Sequence, residues 1–135
     1  MDHPNILKEH KLKHTEAREA IYSIIGQAKK PVDVQTVVDL LKQLGIKVDQ
    51  ATVYRTIQTF IDHGIFRQIE LHEGKFRYEL SSLPHHHHLV CTNCGAIEDS
   101  KECGMEDVAK TLLKTKKFKV TQHNAEFFGL CSKCQ

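Results

Sequence analysis

The chain has 135 residues, of which 40% are hydrophobic and 27% are charged. This composition is typical of a soluble globular protein and excludes a disordered chain, a collagen and a coiled coil. The formal net charge is only +2, so charge alone indicates no strongly acidic partner. No apolar run is long enough to span a membrane, and the first residues lack a secretory pattern, so we expect a cytoplasmic protein with no membrane partner.

Three amphipathic helices are predicted in the first part of the chain. Thr15 is a suitable N-cap for the first of them, and Gly26 is expected to end it. The second helix is expected to begin at Asp33. The third is expected to begin near Asp49 and to end before Gly64.

Two short strands are expected to follow these helices, at residues 66–71 and 75–80. A short helix over residues 5–10 is also expected. Three helices and a β-hairpin form the layout of a winged helix-turn-helix domain, in which the third helix enters the major groove of DNA. The exposed side of that helix has residue types that contact phosphates and base edges, although a solvated polar face would look the same.

The composition changes near Leu83 and Pro84, because all five cysteines of the chain follow that point. We therefore predict two domains, residues 1–83 and 84–135, with a joint between Ser81 and Pro84. The overall fold class is α+β.

The second part of the chain has the pattern of a small α/β unit. We expect one helix at residues 105–114, and four strands at residues 87–91, 96–99, 118–122 and 126–131. Short strands leave exposed edges that can pair with a second copy, so a homodimer is expected.

Two C-x-x-C pairs provide the strongest chemical signal in the sequence, Cys91 with Cys94 and Cys131 with Cys134. Two such pairs can give one metal four thiolate ligands, and a site closed in this way is typical of structural zinc. Disulfides and a redox dithiol are the alternatives. Cys103 lies outside the pairs and is expected to be a small buried residue or a spare thiol.

Four adjacent histidines, residues 85–88, lie just before the first C-x-x-C pair. On a strand their side chains alternate, so His85 and His87 would lie on one face and His86 and His88 on the other. The run therefore predicts two metal sites with two imidazoles each, unless it is accidental. Residues elsewhere that could complete these sites are Glu79, Asp99, Glu106 and His123.

Several strings of the sequence, taken together, resemble the ferric uptake regulator family of bacterial metal-dependent repressors. The resemblance extends from about Leu12 to Cys134. The strings are L-K-x-T-x-x-R at 12–18, A-T-V-Y-R-T at 51–56, Y-E-L at 78–80, H-x-H-L-x-C-x-x-C-G at 86–95, His123, and G-x-C-x-x-C at 129–134.

The resemblance implies an N-terminal winged helix-turn-helix DNA-binding domain followed by a small α/β dimerisation domain. It implies a transcriptional repressor, not an enzyme, that binds a double-stranded DNA operator as a homodimer. It implies structural Zn²⁺ at Cys91, Cys94, Cys131 and Cys134. It implies a regulatory interdomain metal at Glu79, His86, His88 and Asp99. It implies a further site in the dimerisation domain at His85, His87, Glu106 and His123. The residues expected to contact DNA are Lys13, Thr52, Tyr54 and Arg55.

Some positions depart from the family pattern and affect the choice of metal. Pro31 stands where iron- and peroxide-sensing members have a histidine, and His87 stands where iron-sensing members often have an aspartate. The imidazole-rich set slightly favours Zn²⁺ over Fe²⁺ as the regulatory metal, with Mn²⁺ also possible. An iron-dependent peroxide sensor of the same fold is the alternative. A small zinc metalloenzyme is disfavoured because the sequence has no H-E-x-x-H string.

Overall fold

The computed structural model describes residues 3–135, which form two compact units. The first unit ends at Leu83, and the second extends from Pro84 to Gln135. No helix within residues 3–135 has both the length and the apolar character needed to cross a membrane.

The first unit contains four helices and a three-stranded antiparallel sheet of order β1-β3-β2. The three predicted helices and the predicted hairpin are confirmed, although the first of those helices continues through Gly26. The elements are α1 (His3–Glu9), α2 (Glu16–Gln27), β1 (Val32–Asp33), α3 (Val34–Gln43), α4 (Gln50–Asp62), β2 (Phe66–Glu70) and β3 (Phe76–Leu80).

Side-chain caps determine where three of these helices begin. The carboxylate of Asp33 accepts a hydrogen bond from the backbone nitrogen of Thr36 at 2.9 Å. The carboxylate of Asp49 accepts one from the backbone nitrogen of Thr52 at 2.7 Å, and Thr15 caps α2 in the same way. Each cap satisfies a helix N–H group that would otherwise have no partner.

Strand β1 was not predicted from the sequence, because two residues are too few to show an alternating pattern. Val32 pairs with Tyr78 and Asp33 pairs with Arg77 of β3. The Arg77 guanidinium also donates to the carbonyl oxygen of Pro31 at 3.0 Å. The backbone at Pro31 therefore helps to attach the sheet to the start of α3.

The apolar core lies entirely within the first unit and joins its helices to its sheet. Its centre is aromatic: the ring centroids of Phe60 and Phe66 are 4.9 Å apart, and Tyr22 stacks on Phe66 at 6.1 Å. Val53, Ile57 and Phe60 are the buried residues of α4. Their burial leaves the opposite side of α4 exposed to solvent.

The second unit consists of a three-stranded sheet and one helix. Its elements are β4 (His87–Cys91), β5 (Ile97–Ser100), α5 (Met105–Lys116) and β6 (Glu126–Gly129). The strand order is β5-β4-β6, in which β4 pairs antiparallel with β5 and parallel with β6.

The strand predicted at residues 118–122 is wrong, because this segment forms no strand. At the end of α5, Lys117 adopts the left-handed conformation with φ 57, and its N–H bonds to the carbonyl of Leu113 at 3.1 Å. The N–H of Phe118 bonds back to Leu112 at 3.2 Å. The first residue of the expected strand is therefore used to end a helix, and β5 and β6 already occupy both sides of β4.

The second unit has almost no apolar core of its own. Cys91 is its only buried hydrophobic residue, and α5 has no buried residue at all. Its large exposed apolar side chains are Val108, Leu113, Phe118, Phe127, Phe128 and Leu130. A unit this small without a core normally depends on a metal or a partner chain for stability.

Candidate metal centres and nucleic-acid interface

Four cysteine thiols converge at one end of the sheet of the second unit. Cys91 is the last residue of β4 and pairs with Gly129 at the end of β6, so the parallel pairing brings the two C-x-x-C turns together. All four ligand atoms lie within 4.8 Å of one another. The sulfur atoms of Cys94 and Cys131 are 3.8 Å apart.

The geometry of this cluster fits a tetrahedral zinc ion. Zinc–sulfur bonds of about 2.3 Å place two sulfurs about 3.8 Å apart across a tetrahedron. The sulfur of Cys91 accepts hydrogen bonds from the backbone nitrogens of Cys94 at 3.5 Å and Cys131 at 3.4 Å. These two bonds lower the pKa of the Cys91 thiol to about 6, which favours the thiolate form that binds metal.

A second cluster contains three histidines and one cysteine: His85, His87, Cys103 and His123. Its four ligand atoms also lie within 4.8 Å of one another. The Nε2 atom of His123 is 3.1 Å from Nε2 of His85 and 3.3 Å from the sulfur of Cys103. Glu106, which the sequence suggested for this site, lies outside the cluster, at the exposed start of α5.

His87 is oriented for metal binding within this cluster. Its side chain is buried, with 3% of its surface exposed. Its Nδ1 lies 2.9 Å from the carbonyl oxygen of Ala125, which can only accept, so Nδ1 is the protonated nitrogen. Nε2 then has a lone pair, and this buried atom has no hydrogen-bond partner within the described residues.

His86 and His88 lie on the other face, as the predicted alternation requires. The two rings have centroids 4.9 Å apart, while His85 and His87 form a separate pair at 4.7 Å. The Nδ1 atom of His86 donates to the carbonyl oxygen of Pro84 at 2.7 Å. Its Nε2 therefore has the lone pair needed for a metal.

Two carboxylates lie close to the buried imidazole of His88. Its Nδ1 is 3.1 Å from Oε2 of Glu126, and its Nε2 is 3.8 Å from Oδ1 of Asp99. The structure thus places Asp99 beside His88, as the sequence suggested. Glu126 was not identified from the sequence, because only the parallel register that pairs it with His88 brings it into contact.

Glu79 belongs to the first unit, where it is buried with 5% of its surface exposed. It lies opposite Arg67 across β2 and β3, and the Arg67 Nε donates to its Oε1 at 2.7 Å. The carboxylate is therefore already paired with a guanidinium. Its participation in a site with His86 and His88 stays a prediction.

The exposed side of α4 displays three of the four residues expected to contact DNA. Tyr54 is 48% exposed. Arg55 is exposed, and its Nη2 donates to Oγ1 of Thr52 at 3.3 Å. Burial, and to a lesser extent the neighbouring Tyr54, raises the pKa of Tyr78 to about 12.

The fourth residue, Lys13, is exposed in the segment between α1 and α2. Its carbonyl oxygen accepts a hydrogen bond from Nη1 of Arg18 at 2.8 Å. The bond fixes the backbone of the segment and leaves the ammonium group in solvent.

Comparison with known proteins assigns the family. The model of the Ferric uptake regulator family matches residues 9–128. The ferric uptake regulation protein of Bacillus subtilis (strain 168) is 32% identical over 126 residues, covering 90% of this chain and 85% of that protein. The one from Legionella pneumophila is 32% identical over 136 residues, with 100% of each chain covered. The structure of the Vibrio cholerae ferric uptake regulator superposes with a TM-score of 0.84 at 30% identity, covering 96% of this chain and 100% of that one.

These matches confirm the α+β fold class, with an N-terminal winged-helix DNA-binding domain and a C-terminal α/β dimerisation domain. One solved neighbour, the ferric uptake regulator of Francisella tularensis, is described with iron; it superposes with a TM-score of 0.80 at 27% identity, covering 91% of this chain and 94% of that one. The chain belongs to the ferric uptake regulator family and is a metal-responsive transcriptional regulator.

Proposed function

We propose that this chain is a homodimeric repressor that binds a double-stranded DNA operator when a divalent metal occupies Glu79, His86, His88 and Asp99. The observation that supports this most is the environment of His86 and His88. They lie at the start of the second unit, directly after the joint at residues 81–84, and carboxylates of Asp99 and Glu126 face His88.

The donor set near His88 suits more than one divalent metal. Imidazole nitrogens suit zinc, iron and copper, and carboxylates add oxygen donors that suit iron and manganese. The sequence alone slightly favours zinc. The carboxylates beside His88 make Fe²⁺ an equal candidate, in agreement with the names of the curated relatives. We propose Zn²⁺ or Fe²⁺ as the regulatory metal, with Mn²⁺ as an ion that binds more weakly.

The four-cysteine cluster is proposed to hold a structural zinc. The residues Cys91, Cys94, Cys131 and Cys134 would attach the C-terminal segment to the end of β4. A further divalent metal is proposed at His85, His87 and His123. The four-cysteine site is closed by four thiolates and has no open coordination position of the kind that a catalytic metal requires.

The second unit also offers the surface through which two copies would associate. Its large exposed apolar residues lie on or just after α5 and on or beside β6, and include Val108, Leu113, Phe127 and Phe128. Covering such residues with a second copy would supply the apolar burial that this unit lacks. As a DNA-binding protein it is proposed to act in the cytoplasm.

A homodimer would present two copies of α4 to DNA. In helix-turn-helix dimers the two recognition helices bind major grooves about 34 Å apart, so their spacing decides whether both can bind at once. A bound metal supplies a link between its ligands that favours one arrangement of the protein. If that arrangement is the one that binds DNA, the metal raises the population of the competent state.

The test is the DNA affinity of site variants, measured by fluorescence anisotropy at fixed salt. The probe is a duplex selected from random sequence in the presence of zinc. Asp99→Asn removes one proposed ligand. The Asp99 side chain is 51% exposed, so the substitution should leave the fold unaffected. Glu98→Gln, an exposed neighbour on the same strand, is the matched control.

We expect metal to tighten DNA binding by the wild type by about 10- to 100-fold, which is an ordinary allosteric coupling. The Asp99→Asn variant should need more metal to reach the same affinity, and Glu98→Gln should behave as the wild type. Equal DNA affinity of the wild-type protein with and without Zn²⁺, Fe²⁺ and Mn²⁺ would overturn the proposal.

A further inference from the structure

The leftover cysteine of the sequence lies in the histidine cluster of the second unit. Cys103 belongs to the segment between β5 and α5, and its sulfur is 3.3 Å from Nε2 of His123. We propose that Cys103, and not Glu106, is the fourth ligand of this site, together with His85, His87 and His123. The proposal deepens one of the metal sites of the proposed function, and it does not depend on DNA binding.

The distances within the cluster are close to those around a four-coordinate zinc ion. Zinc–nitrogen bonds of about 2.05 Å place two ligand nitrogens about 3.3 Å apart in a tetrahedron, and a zinc–sulfur bond places nitrogen and sulfur about 3.6 Å apart. The corresponding separations are 3.1 Å between His123 and His85 and 3.3 Å between His123 and Cys103. A shift of a few tenths of an ångström would therefore complete the site.

His87 provides an independent observation that points to a ligand. Its Nδ1–H donates to the carbonyl of Ala125, which is the arrangement that orients metal-binding histidines through a backbone acceptor. Its Nε2 is buried and has no partner within the described residues. A buried lone pair left unsatisfied costs free energy, and a cation among His85, His123 and Cys103 would satisfy it.

The alternative ligand, Glu106, is less well placed. It lies in the exposed first turn of α5, outside the group of atoms that converge. There its carboxylate lies near the positive end of the helix dipole, which is a sufficient reason for an acidic residue at that position.

A thiolate in place of a carboxylate changes which metal the site prefers. Three imidazoles and one thiolate form a soft, four-coordinate set that suits zinc, whereas carboxylates favour manganese and similar hard ions. The site near His88, with its carboxylates, and the Cys103 site would then differ in metal preference. The ligands also come from three separate segments of a unit without an apolar core, so the Cys103 site would stabilise the fold.

Added cobalt tests the proposal in the full-length protein with its structural zinc retained. Cobalt bound by a thiolate gives a sulfur-to-metal charge-transfer band in the near ultraviolet. The chain has five cysteines, and four of them form the structural cluster. Plasma mass spectrometry shows whether one zinc per chain is retained. If it is, the four-cysteine cluster is occupied, and a sulfur-to-metal band from added cobalt comes from Cys103.

We expect the wild type and Glu106→Gln to show this band with one cobalt per chain. Cys103→Ser should lose the band and bind zinc at this site at least about tenfold more weakly, because altering even an outer-shell partner of a metal ligand costs that much. His123→Ala should also lose the band, which assigns it to the cluster. If Cys103→Ser does not fold, the wild-type and Glu106→Gln spectra still decide.

A wild-type spectrum without a sulfur band when cobalt is bound and zinc is retained would overturn the proposal. Loss of the band in Glu106→Gln would do the same. The outcome of this experiment is independent of the test of the proposed function, because the cobalt–sulfur band requires no DNA. Metal-independent DNA binding together with a cobalt–sulfur band would reject the repressor mechanism and leave the Cys103 site in place.

Discussion

Replacing one cysteine of the four-thiolate cluster should unfold the second unit and leave the first unit folded. The variant is Cys94→Ser, which removes an exposed ligand while changing little of the side-chain volume. The physical reason is the distribution of buried apolar surface. The core lies wholly in the first unit, whereas Cys91 is the only buried hydrophobic residue of the second.

The expected loss of free energy exceeds the free energy of unfolding of the second unit. A domain is stabilised by about 0.05–0.15 kcal/mol per residue, which gives about 3–8 kcal/mol for a unit of roughly 50 residues. A structural zinc site contributes about 10–16 kcal/mol at neutral pH, and we expect the three remaining thiolates to bind zinc too weakly to keep this contribution. The loss of the zinc site therefore costs more free energy than the whole free energy of unfolding of the second unit.

Amide hydrogen exchange with peptide-level mass spectrometry measures both units in one experiment. In Cys94→Ser we expect peptides from β4 and β6 to exchange at the rate of an unfolded chain, while peptides from α3 and α4 remain protected. Ser132→Ala is the matched control, because it changes an exposed residue of the other C-x-x-C turn that supplies no ligand atom. Wild-type protection of β4 and β6 in a zinc-free Cys94→Ser protein would refute the reasoning.

Three further predictions concern DNA binding, association and pH. Arg55→Ala should weaken operator binding by about 1–3 kcal/mol, as loss of a base contact does; unchanged affinity in anisotropy would remove Arg55 from the interface. Leu113→Glu should convert the dimer to a monomer in light scattering, since it places a charge among exposed apolar side chains; a dimeric mass would place the interface elsewhere. Burial acts to raise the pKa of Asp33, but hydrogen bonds from Lys75 and Thr36 outweigh it and lower the pKa to about 2. The folded pKa lies below the unfolded value, so Asp33 stabilises the fold above about pH 4, and this contribution is lost as the pH falls toward 2. Because Lys75 is half exposed and its charge is screened, we expect Asp33→Asn to cost only about 1 kcal/mol at neutral pH and clearly less near pH 2, where the Asp33 carboxyl is about half protonated; an equal cost at both pH values in urea unfolding would show that the charge is not responsible.

Much of the fold could be predicted because local chemistry determines it. The caps Thr15, Asp33 and Asp49 identify the helix starts, and each makes the expected hydrogen bond. The alternation of residues 85–88 was predictable because side chains on a strand have a period of two. The two C-x-x-C pairs were predictable because their spacing reflects the geometry of the ligand turn itself.

The features that were missed depend on distant pairing. Strand β1 exists only because β3 lies beside it, and Glu126 reaches His88 only through the parallel register of β4 and β6. Cys103 and His123 are far apart along the chain, so no spacing rule could join them. A cysteine outside the two C-x-x-C pairs is the one signal available in the sequence, and it predicts a small buried residue or a spare thiol rather than a ligand.

The strand expected at residues 118–122 failed for a different reason. Its alternating pattern is real, but a strand also needs an unoccupied edge. In this unit β5 and β6 flank β4, and the backbone N–H of Phe118 is hydrogen-bonded to Leu112 at the end of α5. Local pattern and tertiary pairing disagree here, and tertiary pairing decides.

The most direct test of metal-activated DNA binding follows one preparation through three states. Operator affinity and metal content per chain are measured as purified, after mild chelation, and after Zn²⁺ or Fe²⁺ is added back without oxygen. The account predicts that chelation weakens binding at least about tenfold while the four-cysteine zinc remains, and that one added metal restores it. The same operator affinity in all three states, with the exchangeable metal removed in the second, would contradict it.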